Sequence, residues 1–206
     1  MQPGYMKELE TQISKLKVGR AFSAFDFLEI APAATINRSL SRLADDGKIR
    51  RIIQGIYDRP EFSPLLQEYV APQMDEVAHA LARRFQWTIA PSEDTALNLL
   101  HLSTQVPVVW TYVSDGPYRI YHYKNTEISF KHKATREIKN MDRKTLLLIQ
   151  ALRGLGKDNI SEESIRVLQN SFSQEEKDMI LKELRSAPNW IQVEAKKICT
   201  NEGDEE

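Results

Sequence analysis

The stretch from Pro32 to Tyr57 switches from a helical to a strand period within a few residues, and no other part of the chain limits the fold as strongly. Residues 32 to 46 carry Ile36, Leu40 and Leu43 at the i, i+4, i+7 spacing of one helical face, with Pro32 suited to a first turn. Asp45-Asp46-Gly47 ends that helix, because Gly47 can take the left-handed conformation of a C-terminal cap. Lys48 to Ile53 is rich in β-branched residues, Gln54-Gly55 supplies a turn, and Ile56-Tyr57 returns antiparallel. Upstream, residues 5 to 18 place Leu9, Ile13 and Leu16 on one face of an amphipathic helix. Ser23 then caps a short helix with Phe25, Phe27, Leu28 and Ile30, expected to pack beneath the helix at 32 to 46. Three helices followed by a β-hairpin predict a winged helix-turn-helix over residues 1 to 60.

The face opposite Ile36 decides what such a unit touches. At about 100° per residue, Ala34, Arg38, Ser41 and Arg42 fall there, a short basic surface of the kind a recognition helix offers to the major groove. Lys48, Arg50 and Arg51 on the hairpin have the charge to contact phosphate, which gives affinity without reading sequence. Winged helices also serve as protein-docking modules, so the same surface admits a protein partner instead. Residues 1 to 60 hold ten Lys or Arg against seven Asp or Glu, an excess small enough that a monomer would bind DNA weakly.

Beyond the hairpin, Pro60 and Pro64 disfavour helix and predict a boundary. Asp75 to Phe85 repeats apolar residues at helical spacing, Trp87 to Ala90 is a short strand, and Ser92 caps a helix running to Leu100. Strands are expected at 108 to 113, 118 to 123 and 127 to 131, separated by Ser114-Asp115-Gly116-Pro117 and Lys124-Asn125. This predicts a small mixed α/β domain with an antiparallel sheet at 61 to 140. Helical spacing returns from Asp142, giving a helical region over 141 to 200, and the terminal 201 to 206, NEGDEE, is expected to be a disordered tail. The fold class is therefore α+β. Residues 151 to 206 hold eight Lys or Arg against twelve Asp or Glu, so charge grades from basic to acidic along the chain.

Chemistry is harder to find. The chain has no GxxxxGK[ST], GxGxxG, GxSxG or HExxH motif, and His79, His101, His122 and His132 lack a compact ligand spacing. Asp115 and Glu127 suggest a nuclease-like acid pair, but the position two beyond the glutamate, where such sites place a lysine, is Ser129. The expectation is of no enzyme activity, no metal and no cofactor. One cysteine, Cys199, excludes an internal disulfide. No apolar run approaches the ~20 residues of a membrane span, and MQPGYMKELETQ lacks the apolar core of a signal peptide, so the expected location is the cytoplasm.

The segments GKIRRIIQGIYDRPEFSPLL (47 to 66), PSEDTALNLLHLSTQVP (91 to 107), YVSDGPYR (112 to 119), FKH (130 to 132) and IQALRGLGKD (149 to 158) occur in an ordered succession. That succession resembles the AbiEi-type antitoxins of bacterial type IV toxin-antitoxin systems, and more narrowly a branch of uncharacterised regulators. The resemblance covers residues from about 5 to 158. It implies a winged-helix domain that binds operator DNA and represses its own operon, joined to a domain that opposes a nucleotidyltransferase-like toxin. The positions it carries over are Thr35, Asn37, Arg38, Ser41 and Arg42 on the recognition helix and Lys48, Arg50 and Arg51 on the wing. The family often has a more basic second domain, whereas residues 61 to 150 are neutral here.

Overall fold

The computed structural model describes residues 4–105, 107–133 and 141–200; the acidic tail and the expected boundary at residue 140 lie outside these. The chain is mixed α/β with a helical C-terminal part, and it divides into two compact units, Met1–Trp87 with Tyr121–Ile128, and Thr88–Ile120 with Ser129–Glu206.

The first unit begins with helix α1 (Gly4–Lys15), whose apolar stripe buries Leu9 and Ile13. A two-residue strand β1 (Ala21–Phe22) follows, which no local signal marked. Ser23 then caps one turn of 3₁₀ helix, Ala24–Phe27, by a capping box with Asp26. Only part of the apolar run there turns inward: Phe27 is buried, while Phe25 and Leu28 remain exposed, because a single turn presents one narrow face. Helix α2 (Ala33–Asp45) buries Ile36, Leu40 and Leu43 as their spacing requires. Gly47 takes φ +72°, and Gly47 and Lys48 donate their N–H groups to Ala44 and Leu43 carbonyls, which stops the helix. Strands β2 (Arg50–Ile53) and β3 (Ile56–Asp58) pair antiparallel, with β1 on the far side of β3, in the order β1-β3-β2.

The core of this unit joins Leu9, Phe22, Phe27, Ile36, Leu40 and Tyr57, with Phe22 edge-on to Phe27 and stacked on Tyr57. Arg59 closes the end of α1, since its Nη1 donates to the carbonyls of Ser14 at 2.6 Å and Leu16 at 2.9 Å. The proline-bounded stretch expected as a boundary makes a small hairpin, β4 (Phe62–Ser63) with β5 (Glu68–Tyr69). Helix α3 (Met74–Phe85) belongs to this unit too. Its Val77, Ala78 and Leu81 are fully buried, Arg83 Nε donates to Asp26 Oδ1 at 2.7 Å, and Arg83 Nη2 donates to the Ala21 carbonyl at 2.8 Å.

The second unit holds β6 (Ile89–Pro91), α4 (Glu93–Leu99) and β7 (Val109–Ser114), followed along the chain by β8 (Arg119–Tyr123) and β9 (Thr126–His132). The sheet order is β6-β7-β9-β8, with β6 and β7 antiparallel. Ser92 Oγ accepts from the Thr95 N–H to cap α4, and Thr95 Oγ1 accepts from the Thr111 N–H at 3.0 Å, which fastens the helix to β7. Among the described residues four α-helices follow: α5 (Arg143–Leu155), α6 (Glu162–Asn170), α7 (Gln174–Glu183) and α8 (Asn189–Cys199), with Asp142, Ser161 and Ser173 capping the first three. Their core is Leu148, Leu152, Leu168, Ile180, Ile191 and Ile198, reached from α4 by Ala96.

Two outcomes follow from this packing. A Cβ on Gly154 in α5 would sit 3.1 Å from Leu97 Cδ1 and 3.2 Å from the Glu93 carbonyl oxygen. Gly154→Val therefore overpacks the α4–α5 contact and is expected to lower stability by about 1–3 kcal/mol in urea unfolding. Cys199 is 1% exposed, and burial pushes its thiol up to about 11. It should stay unmodified by a thiol reagent at pH 8 in the native protein and react on unfolding. Because the folded thiol titrates above the ordinary 9.0, its contribution to stability is complete below pH 9 and declines as pH rises towards 11.

Candidate nucleic-acid interface

Helix α2 buries one side and leaves the other open. Asn37, Arg38 and Arg42 are exposed, Thr35 and Ser41 are half-buried, and Ser39 turns inward to donate to the Thr35 carbonyl at 3.0 Å. Arg38 and Arg42 are one helical turn apart, and neither has an ion pair or hydrogen bond among the described residues. Two adjacent guanidiniums whose donors find no acceptor among the described residues form the strongest anion-seeking feature of this face.

The three hairpin cations are placed differently from one another. Lys48 Nζ lies 2.6 Å from Glu10 Oε1 on α1, an exposed pair whose hydrogen bond and charge hold the lysine above its usual value. Arg50 lies opposite Asp58 on β3. Its Nε donates to Asp58 Oδ1 at 3.0 Å, its Nη2 donates to Asp58 Oδ2, and its Nη1 donates to the Val70 carbonyl at 2.8 Å. Asp58 is fully buried, so Arg50 is the counter-charge of a buried carboxylate. Arg51 faces α2, where Nη2 donates to Ser41 Oγ at 2.6 Å and lies 3.6 Å from Asp45, with the guanidinium 5.7 Å from the centre of the Tyr57 ring.

A cleft of about 590 Å³ opens between α2 and the β2–β3 hairpin, lined by Asn37, Ser41 and Arg51 and by the turn residues Gln54 and Gly55. Arg84, which sequence inspection passed over, closes one side of it from α3. Its Nη1 donates to the Gln54 carbonyl at 2.8 Å and its guanidinium lies over the Phe85 ring. Nothing in the local pattern around Arg84 separates it from any helical arginine, because its neighbour in space is 30 residues earlier in the chain.

Of the eight residues expected at an interface, the fold thus gathers Asn37, Arg38, Ser41, Arg42 and Arg51 on or beside the outer side of α2. Thr35 lies at the helix start, and Lys48 and Arg50 are engaged by acids. Among the described residues no group of three His, Cys, Asp or Glu is arranged to hold a metal, and no helix is long and apolar enough to cross a membrane.

These features define a mixed α/β protein whose first unit carries a basic helix-and-hairpin face. The chain belongs to DUF6088, a family of unknown function whose model matches residues 8–180. Curated proteins yield no match.

Proposed function

We propose that the chain is a DNA-binding transcriptional regulator whose first unit is a winged helix-turn-helix, with α2 as recognition helix and β2–β3 as wing. The order α1, β1, 3₁₀ turn, α2, β2, β3, with a three-stranded antiparallel sheet, supports that assignment. The observation that carries it is the Arg38 and Arg42 pair, exposed and without a protein partner among the described residues, on the outer face of a helix whose opposite face is buried. Side chains of this type at one turn's spacing match the guanine-edge acceptors of the major groove. The engaged state of Arg50 and Lys48 narrows the contact set to Asn37, Arg38, Ser41 and Arg42, with Arg51 from the wing.

The resemblance to AbiEi-type antitoxins supports a further step, in which this cytoplasmic regulator represses its own operon and opposes a nucleotidyltransferase-like toxin. The last six residues, NEGDEE, carry the whole acidic excess of residues 151 to 206, and a negatively charged segment suits a basic protein partner, because it repels phosphate and steers positive charge. No catalytic role is assigned. The test is an anisotropy titration of the full chain against DNA upstream of its own gene and against a shuffled duplex, at two salt concentrations. Preference for the upstream sequence supports the regulator; equal and weak binding to both overturns it. A second reading, a protein-docking winged helix, is favoured by the acid partners of Lys48 and Arg50, which withdraw two cations from the surface.

A further inference from the structure

We infer that the cleft between α2 and the β2–β3 hairpin is a phosphate-binding site held by Arg51 and Arg84, the second of which comes from outside the helix-and-hairpin element. Both guanidiniums line the same space. Each is fixed by one end and open at the other. Arg51 spends Nη2 on Ser41 and on a distant approach to Asp45, leaving Nε and Nη1 without an acceptor among the described residues. Arg84 spends Nη1 on the Gln54 carbonyl, leaving Nε and Nη2 in the same condition. A guanidinium anchored through one nitrogen loses little further freedom when it binds, so its remaining donors are preorganised for a tetrahedral oxyanion.

The turn is shaped to admit this arrangement. Gly55 has φ +79°, a conformation that favours glycine, and a Cβ there would fall 2.5 Å from Arg84 Nη1, so the guanidinium lies directly against the bare turn. Asn37, Ser41 and Gln54 add neutral polar groups to the lining, which includes no carboxylate. Tyr57 forms an aromatic wall that holds the Arg51 plane. Two cations and neutral polar groups, against the one carboxylate of Asp45 at 3.6 Å from Arg51 Nη2, select an anion, and the volume accommodates a phosphodiester link as well as an isolated phosphate.

The inference rests on the DNA assignment only for the source of the phosphate, which is either a nucleic-acid backbone or a free polyphosphate. Inorganic pyrophosphate is the probe. The full chain is titrated with it at constant ionic strength while backbone amide shifts are followed by NMR, alongside Arg51→Gln, Arg84→Gln and, as a control in the second unit, Arg166→Gln. Saturable shifts at Asn37, Ser41, Gln54 and Gly55 are expected, weakened roughly tenfold by either cleft substitution and unchanged by the control. Amide spectra of the variants report folding directly, and Arg51→Gln tests the site without touching the hairpin turn. Absence of saturable shifts in the parent chain, or shifts that survive both cleft substitutions, overturns the site.

A DNA titration of the same variants identifies the source. Competition by pyrophosphate, with a salt slope reduced by about one in Arg84→Gln, assigns a backbone phosphate. Pyrophosphate binding without any DNA binding supports the site and assigns a free phosphate, while overturning the DNA assignment. DNA binding with silent pyrophosphate and an unchanged slope overturns the site and leaves the DNA assignment intact.

Discussion

Arg50→Ala is expected to destabilise the first unit by about 3–5 kcal/mol, which is enough to move a urea midpoint by a molar unit or more. The cause is Asp58. Its carboxylate is fully buried and receives two of the three hydrogen bonds that the Arg50 guanidinium makes. Removing the arginine strands a negative charge in the sheet, and the Val70 carbonyl at the foot of the β4–β5 hairpin loses its donor as well. Replacing both partners, as in Arg50→Ala with Asp58→Ala, should recover much of the loss, because neither charge then remains to be desolvated. A double-mutant cycle read by urea unfolding measures this. Independent, additive losses would show that the two side chains do not act as a pair. The outcome also separates stability from DNA contact: a phosphate-contacting arginine would change affinity and salt slope while leaving the midpoint in place.

The second large effect concerns binding. Arg38→Ala and Arg42→Ala should each cost about 1–3 kcal/mol in affinity for the cognate duplex if each guanidinium reads a base edge, and about tenfold corresponds to 1.4 kcal/mol. The double substitution should bring cognate binding close to that of a shuffled duplex. Stability should barely change, since neither side chain has a partner to lose among the described residues. Arg51→Ala should instead weaken all sequences alike. An anisotropy titration decides between these patterns, and an Arg38/Arg42/Arg51 triple variant that binds as tightly as the parent would remove DNA from the proposal.

The contrast between Arg50 and Arg51 shows where sequence inspection stops. Both are arginines on one short strand of a basic hairpin. Counting back from the Gln54-Gly55 turn, where Ile53 faces Ile56, an uninterrupted ladder would set Arg51 opposite Asp58. An irregularity between Arg51 and Ile53 shifts the register by one, so Arg51 faces Tyr57 and Arg50 faces Asp58. That single shift decides which arginine neutralises a buried acid and which turns towards α2. No local propensity encodes it.

Other parts were legible because their signals are local. Ile36, Leu40 and Leu43 define the buried face of α2 by spacing alone, and this fixes Arg38 and Arg42 on the open side. Gly47 and Gly55 mark the helix stop and the hairpin turn, and both take positive φ. Serines at 92, 161 and 173 cap helices as their side-chain chemistry predicts. The sequence by itself therefore determined α2 and its inward face, the turn of the hairpin that follows, the serine-capped helix starts and the outward arginine pair, all of which depend on periods of a few residues.

Tertiary structure decided what those elements join. Helix α3 follows two prolines and carries its own apolar stripe, so it looks like the start of a new domain, yet Arg83 ties it to Asp26 and Arg84 ties it to the hairpin turn. Those bonds span 57 and 30 residues. Contacts over such separations depend on the whole packed unit, through the positions of buried Val77, Ala78 and Leu81, and a charged side chain looks the same in sequence whether it ends in water, on a buried carboxylate or beside a glycine turn.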